Sequence, residues 1–179
     1  LSYEKALAIN PDDADTHNNL GIALGALERL DDAINSYEKA LAINPNYAEA
    51  FNNLGIIFLK LGRLDDAFKS NKKALAIKPK FAEGYAAQGR ILTELKQLED
   101  ALESYDRVRV IDPSLAYNLG AILNTKMNLC HWEGLPALLS ELKTKINNNE
   151  KAIVPFDLLG LLDDPELQRK ASEIYAHEE

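Results

Sequence analysis

One stretch decides the fold: Ala48 to Phe81, which reads AEAFNNLGIIFLKLGRLDDAFKSNKKALAIKPKF. Its first half places Phe51, Leu54, Gly55 and Phe58 at spacings of three, one and three, so they share one helical face. Its second half places Ala67, Asn71 and Ala74 on one face of a second helix. Asp65 and Asp66 open that helix where acids favour its dipole, and Pro79 closes the unit. The same spelling recurs 34 residues away on either side. Upstream it is His17, Leu20, Gly21 and Leu24, then Asp31, Asp32, Ala33, Tyr37 and Ala40; downstream it is Tyr85, Gln88, Gly89 and Leu92, then Glu99, Asp100, Ala101, Tyr105 and Val108. Pro11, Pro45, Pro79 and Pro113 keep the same period.

Two helices cannot bury their apolar faces alone, so units of this kind stack into a solenoid with a concave binding surface. Glycine inside a helix costs about 1 kcal/mol against alanine, and its recurrence at one phase implies close packing. Gly21 with Ala33, Gly55 with Ala67 and Gly89 with Ala101 are expected to let paired backbones approach.

These residues resemble the tetratricopeptide repeat (TPR) family over residues 1 to about 115. The resemblance implies an all-α, right-handed superhelix of helix-turn-helix units: 14–47, 48–81 and 82–115, with 1–13 as the second helix of a truncated unit. His17 and Asn71 stand where large aromatics are usual, and neighbouring side chains are expected to compensate. Leu1 to Leu7 match Asn35 to Leu41, so the chain is expected to begin inside a repeat. The uncovered apolar faces would then promote self-association through Leu1, Tyr3 or Leu7.

After Pro113 the period breaks, and 116–179 reads as a divergent helical extension. Leu115 to Leu129 is helical by pattern, and a second helix carries Leu135, Leu138, Leu142 and Ile146 and ends at Asn147 to Asn149. Asp163-Asp164-Pro165 is a helix start with an acidic cap. Two segments carry a second resemblance: Asp112-Pro113-Ser114-Leu115-Ala116-Tyr117-Asn118-Leu119-Gly120 with Lys126-Met127-x-Leu129-Cys130-His131-Trp132, and Pro155 to Gln168. They look like the junction of bacterial Spindly-type O-linked N-acetylglucosamine transferases, although Asp is common there where His131 stands. That resemblance implies a parent enzyme of glycosyltransferase family 41, moving a sugar from UDP-GlcNAc or a similar donor to protein Ser/Thr. Its two Rossmann-like halves would follow this segment, and this chain alone is expected to be no enzyme and to bind no cofactor.

Charge and composition narrow the classes. The net charge of −8 argues against a nucleic-acid partner. No apolar run approaches the roughly 18 residues of a membrane helix. One cysteine fits a reducing, cytoplasmic compartment. Cys130, His131, His17 and His177 are too few and scattered for a metal site. Cys130 and Trp132 are expected in the core, with His131 at a surface turn.

The expected site is the groove. In each unit the second, sixth, ninth and thirteenth positions of the first helix share a face: Asp15, Asn19, Ile22, Ala26; Glu49, Asn53, Ile56, Lys60; Glu83, Ala87, Arg90, Glu94. Asn19 and Asn53 resemble the asparagine ladder of O-GlcNAc transferase TPRs, where amides hold a peptide backbone by donating and accepting at once. Asn18 and Asn52 beside them would widen the strip, and Ala87 breaks it. The other reading is that these asparagines cap or solvate a polar surface. Asp15, Glu49 and Glu83 would repel a carboxylate-ended ligand, so the expected guest is an extended polar or basic peptide. A substrate-binding TPR region of a transferase and a stand-alone TPR scaffold are the two readings of function.

Overall fold

The computed structural model describes residues 7–176, and among them there are helices and turns but no strand. Residues up to Leu95 form one compact unit and those from Lys96 onward a second. The expectations that fall on Leu1 and Tyr3 lie outside the described residues, and Leu7 is half-buried.

In the first unit α1 spans Ala14–Ala26, α2 Leu30–Ile43, α3 Ala48–Lys60, α4 Leu64–Ile77 and α5 Ala82–Glu94. Asp13 caps α1 by accepting from the Asp15 and Thr16 amides. Asp31 and Asp32 lie in the first turn of α2, and Asp65 and Asp66 in that of α4. Arg29 and Arg63, just outside those turns, pair with Asp32 at 2.6 Å and Asp66 at 2.7 Å. Helices α1 and α2 pack as a hairpin, as do α3 and α4; α2 then meets α3, and α4 meets α5. Their apolar faces make a continuous core that includes Leu24, Tyr37, Leu54, Ile57, Phe58 and Ile91.

The small residues act as expected at Gly55, where an added Cβ would lie 3.2 Å from the Ala67 carbonyl oxygen. At Gly21 the neighbour differs. The Tyr37 ring, not Ala33, fills the space, and an added Cβ would come within 2.6 Å of it. Asn71 holds the place of Tyr37 in the next repeat, so Gly55 meets backbone instead of a ring. The turn between paired helices takes a left-handed residue at Glu28 (φ 56°) and Gly62 (φ 70°), 34 residues apart.

In the second unit α6 spans Leu98–Ile111, α7 Asn118–Asn128, α8 Leu135–Asn147, α9 Pro155–Leu159 and α10 Pro165–Ala176. Helix α7 packs on α6 and α8, and α10 packs on α8 and α9. Leu123, Leu142, Ile146 and Leu158 are buried among them. The helix expected from Leu115 begins only at Asn118. Tyr117 is left-handed (φ 63°) and its amide donates to the Lys151 carbonyl at 2.7 Å, which turns the chain before the helix can start. Asp164 accepts from the Leu167 amide and opens α10, as its acid-proline signal predicts.

Cys130 and Trp132 correct the core expectation. Both are exposed, Trp132 by 59%. Cys130 is left-handed (φ 55°) and ends the α7 turn, which carries the next two residues into solvent. His131 is at an exposed turn. The apolar run Val154 to Leu162 divides: Leu158 is buried within the unit, while Phe156 and Leu159 are exposed.

Gly21→Ala is expected to destabilise the chain by about 1–3 kcal/mol through the clash with the Tyr37 ring, outweighing the roughly 1 kcal/mol gained in helix propensity. Urea denaturation followed by circular dichroism measures it; equal or greater stability would mean that the ring moves aside freely.

Candidate functional site

The site expected from sequence lies wholly in the first unit. Helix α1 touches α3 and α3 touches α5, so the first helices of three successive repeats stand side by side. Asp15, Asn19, Ile22 and Ala26 are exposed on α1; Lys60 is exposed and Glu49, Asn53 and Ile56 half-buried on α3; Glu83, Arg90 and Glu94 are exposed on α5. Ala87 is buried at 3% exposure, so the asparagine row ends before α5.

Asn18 and Asn52 are corrections to the expected strip. Both are buried, at 5% and 4% exposure, and neither widens a surface. They sit one position before the exposed row, which turns their side chains into the helix interface. Asn18 accepts from Asn53 Nδ2 at 3.1 Å, joining α1 to α3. One N–H of the Asn53 rung is therefore committed inside the fold, while Asn19 stays exposed.

Asn52 takes part in a second buried contact. Asn71, with no exposed surface, donates from Nδ2 to the Gly84 carbonyl at 2.8 Å and lies 3.4 Å from Asn52 Oδ1. Three helices, α3, α4 and α5, meet at that amide. Its Nδ2 is thus paired, whereas its Oδ1 is buried without a hydrogen-bond partner among the described residues, and an unpaired group of that kind costs roughly 1–3 kcal/mol. The sequence shows only that Asn18 and Asn52 share a phase. Nothing in the spacing reveals that the departure at Asn71 is what Asn52 and Gly84 bind. His17, the other departure, is buried and donates from Nε2 to the Pro11 carbonyl at 2.9 Å.

The charges of the row are unequal in availability. Lys60 is held by Glu28 at 3.0 Å, and Glu49 by Lys78 at 2.6 Å. The Lys78 ammonium, hydrogen-bonded to Glu49, holds that carboxyl below its ordinary value. Burial, then a hydrogen bond to the Asp15 carboxylate, pushes the Tyr47 hydroxyl up to about 12. Tyr47 and Lys78, outside the expected row, thus govern two of its acids. Once the paired charges are set aside, Asp15, Glu83 and Glu94 face a single cation, Arg90, and the row is net acidic. Among the described residues no group of three His, Cys, Asp or Glu side chains is placed to hold a metal, and no helix is long and apolar enough to cross a membrane.

Tetratricopeptide-repeat models match residues 2–35 and 48–81, and a TPR-repeat model matches 24–62. Together these matches run over residues 2–81. No curated protein sequence matches it. Among solved structures it is similar to PilW, a widely conserved type IV pilus biogenesis factor, at 26% identity and a TM-score of 0.72, covering 82% of this chain and 68% of that one. It is similar to YrrB, a TPR protein with an unusual peptide-binding site, at 20% identity and a TM-score of 0.67, covering 99% of this chain and 84% of that one. It is also similar to the first TPR of Spaghetti (RPAP3), bound to the HSP90 peptide SRMEEVD, at 20% identity and a TM-score of 0.63, covering 65% of this chain and 93% of that one.

Glu49 gives a pH test with a fixed sign. Its carboxyl is depressed in the fold, so the pair with Lys78 supports the structure above the ordinary glutamate value and fades as pH falls through the depressed one. Lys78→Ala is expected to raise the Glu49 value toward or above 4.5, the ordinary value, in a carboxyl NMR titration. An unchanged value would mean that the pair does not form in solution.

Proposed function

We propose that the row on α1, α3 and α5 binds an extended segment of a partner protein, and that this segment is polar or basic. The chain is a protein-interaction module of repeats; the proposal concerns its guest. The observation that carries it is the unpaired acidity of the row, with Asp15, Glu83 and Glu94 exposed against Arg90 alone. Asn19 and the uncommitted half of Asn53 supply amide groups that satisfy a peptide backbone without requiring a particular side chain. Ile22 and Ile56 lie between the polar positions and offer apolar contact to the guest. The Spaghetti repeat was solved with an acidic, carboxylate-ended peptide; the acids here favour the opposite charge.

Isothermal titration is expected to give tighter binding for a Lys- or Arg-containing extended peptide than for an acidic, carboxylate-ended one. The Asn19→Ala/Asn53→Ala pair is expected to weaken the first by about tenfold, the loss of two amide contacts of roughly 0.5–1.5 kcal/mol each. Tighter binding of the acidic peptide that the same pair of substitutions weakens, which places it on the row, would overturn the reading.

A finer part of the proposal concerns the parent protein. The runs Asp112 to Trp132 and Pro155 to Gln168 support placing this chain in a family 41, O-GlcNAc-transferase-like enzyme. The chain would then capture the acceptor protein while nucleotide-sugar chemistry resides in other domains, and the single cysteine agrees with a cytoplasmic setting. A stand-alone scaffold is the alternative, favoured by the likeness to PilW and YrrB, described as a pilus biogenesis factor and a TPR protein. Reading the encoding gene past codon 179 separates the two: two nucleotide-binding α/β halves are expected. An immediate stop codon would leave the scaffold.

A further inference from the structure

Helix α4 carries a charge pattern that the repeat framework does not require. Between Asp66 and Glu83 the sequence has five lysines and no acid, in a chain of net charge −8. Lys69, Lys72 and Lys73 lie at helical spacings of three and four on one face of α4, and Lys80 follows in the next loop; all four are exposed. The fifth, Lys78, is occupied by Glu49. Among the described residues Lys69, Lys72 and Lys80 form no ion pair, and Asp66, the nearest acid on the helix, is taken by Arg63. Lys73 sits over the Phe51 ring, 5.2 Å from its centroid.

The neighbouring repeats serve as an internal control. The positions of Lys69, Lys72, Lys73 and Lys80 are Asn35, Glu38, Lys39 and Asn46 in the repeat before. In the repeat after they are Glu103, Asp106, Arg107 and Ser114. Four positive charges thus stand where the flanking repeats are neutral or net negative. The flanking repeats keep the same helices with a cation only at the Lys73 position (Lys39 and Arg107), so folding does not demand Lys69, Lys72 or Lys80. Like charges on one face repel, so their concentration calls for a counter-charge from outside.

We propose that the lysine face of α4 is a second docking surface, separate from the row on α1, α3 and α5, and that it takes an acidic, extended segment of a protein partner. Spacing and size select this guest. The three helical lysines span little more than one turn, and Lys80 extends the track by one loop, a length that suits a short run of Asp or Glu. A nucleic-acid duplex or an anionic membrane is larger than the patch and would meet the acids that dominate the rest of the chain. The Phe51 ring beneath Lys73 holds that ammonium in place before the guest arrives.

The test is fluorescence anisotropy with a labelled peptide of about twelve residues alternating Glu and Ser, at about 50 and 300 mM NaCl. Binding is expected at the lower salt and about tenfold weaker at the higher, because the contact is between exposed charges. The variant Lys69→Asn/Lys72→Glu/Lys80→Asn installs the residues of the preceding repeat. It is expected to lose about tenfold in affinity with an unchanged thermal melt. Lys72→Glu alone is expected to lose a smaller part and guards against misfolding of the triple variant. Affinity unchanged by both variants would overturn the proposal. So would binding of duplex DNA or phosphatidylserine vesicles more tightly than the peptide.

Discussion

Everything else in the first unit depends on how closely α3 and α4 can approach. At Gly55 the distance from an added Cβ to the Ala67 carbonyl oxygen would be 3.2 Å, and Ala67 itself is fully buried. Larger side chains at either position would force the hairpin open. The glycine phase recurs every 34 residues, and the first helices of successive units come into contact. That contact puts Asp15, Asn19, Glu49, Asn53, Glu83 and Arg90 along one row. The row is thus a consequence of small residues that never touch a ligand.

Buried amides hold the repeats together where the aromatic pattern lapses. In the first hairpin Tyr37 fills the space over Gly21 by bulk. In the second, Asn71 is too small to do so and binds the Gly84 carbonyl and Asn52 instead. Directional contacts of this kind add little net stability but penalise any shift of α5 along α4, since a displaced Asn71 would leave its Nδ2 unpaired as its buried Oδ1 already is. Asn18 and Asn53 do the same between α1 and α3. A guest held by Asn53 would therefore meet a side chain already fixed in orientation.

The first unit carries opposite charges on different helices. The row on α1, α3 and α5 is acidic because Lys78 and Glu28 occupy Glu49 and Lys60, leaving Asp15, Glu83 and Glu94. The exposed face of α4 is basic, and among the described residues Lys69 and Lys72 on it, and Lys80 in the loop after it, form no ion pair. A solenoid of identical repeats would show neither difference. Departures from the consensus, in charge more than in packing, are what distinguish one repeat from the next.

The period of prolines, the glycine phase and the acidic helix starts are local or periodic signals, and by themselves they determined an all-helical fold of consecutive packed helix pairs. They work because small residues and helix caps act through neighbours close in sequence or one repeat away. What only the tertiary structure decided concerns side chains whose partners come from other helices. Asn18 and Asn52 read as surface amides and are buried, because one residue of helical rotation turns them into the interface. Cys130 and Trp132 read as core and are exposed, because a left-handed Cys130 redirects the chain. Glu28 adopts a left-handed turn without being glycine, since the hairpin geometry set by its neighbours outweighs the local cost. Which acids of the row keep no counter-charge was likewise a matter of distances between helices, which no spacing along the chain records.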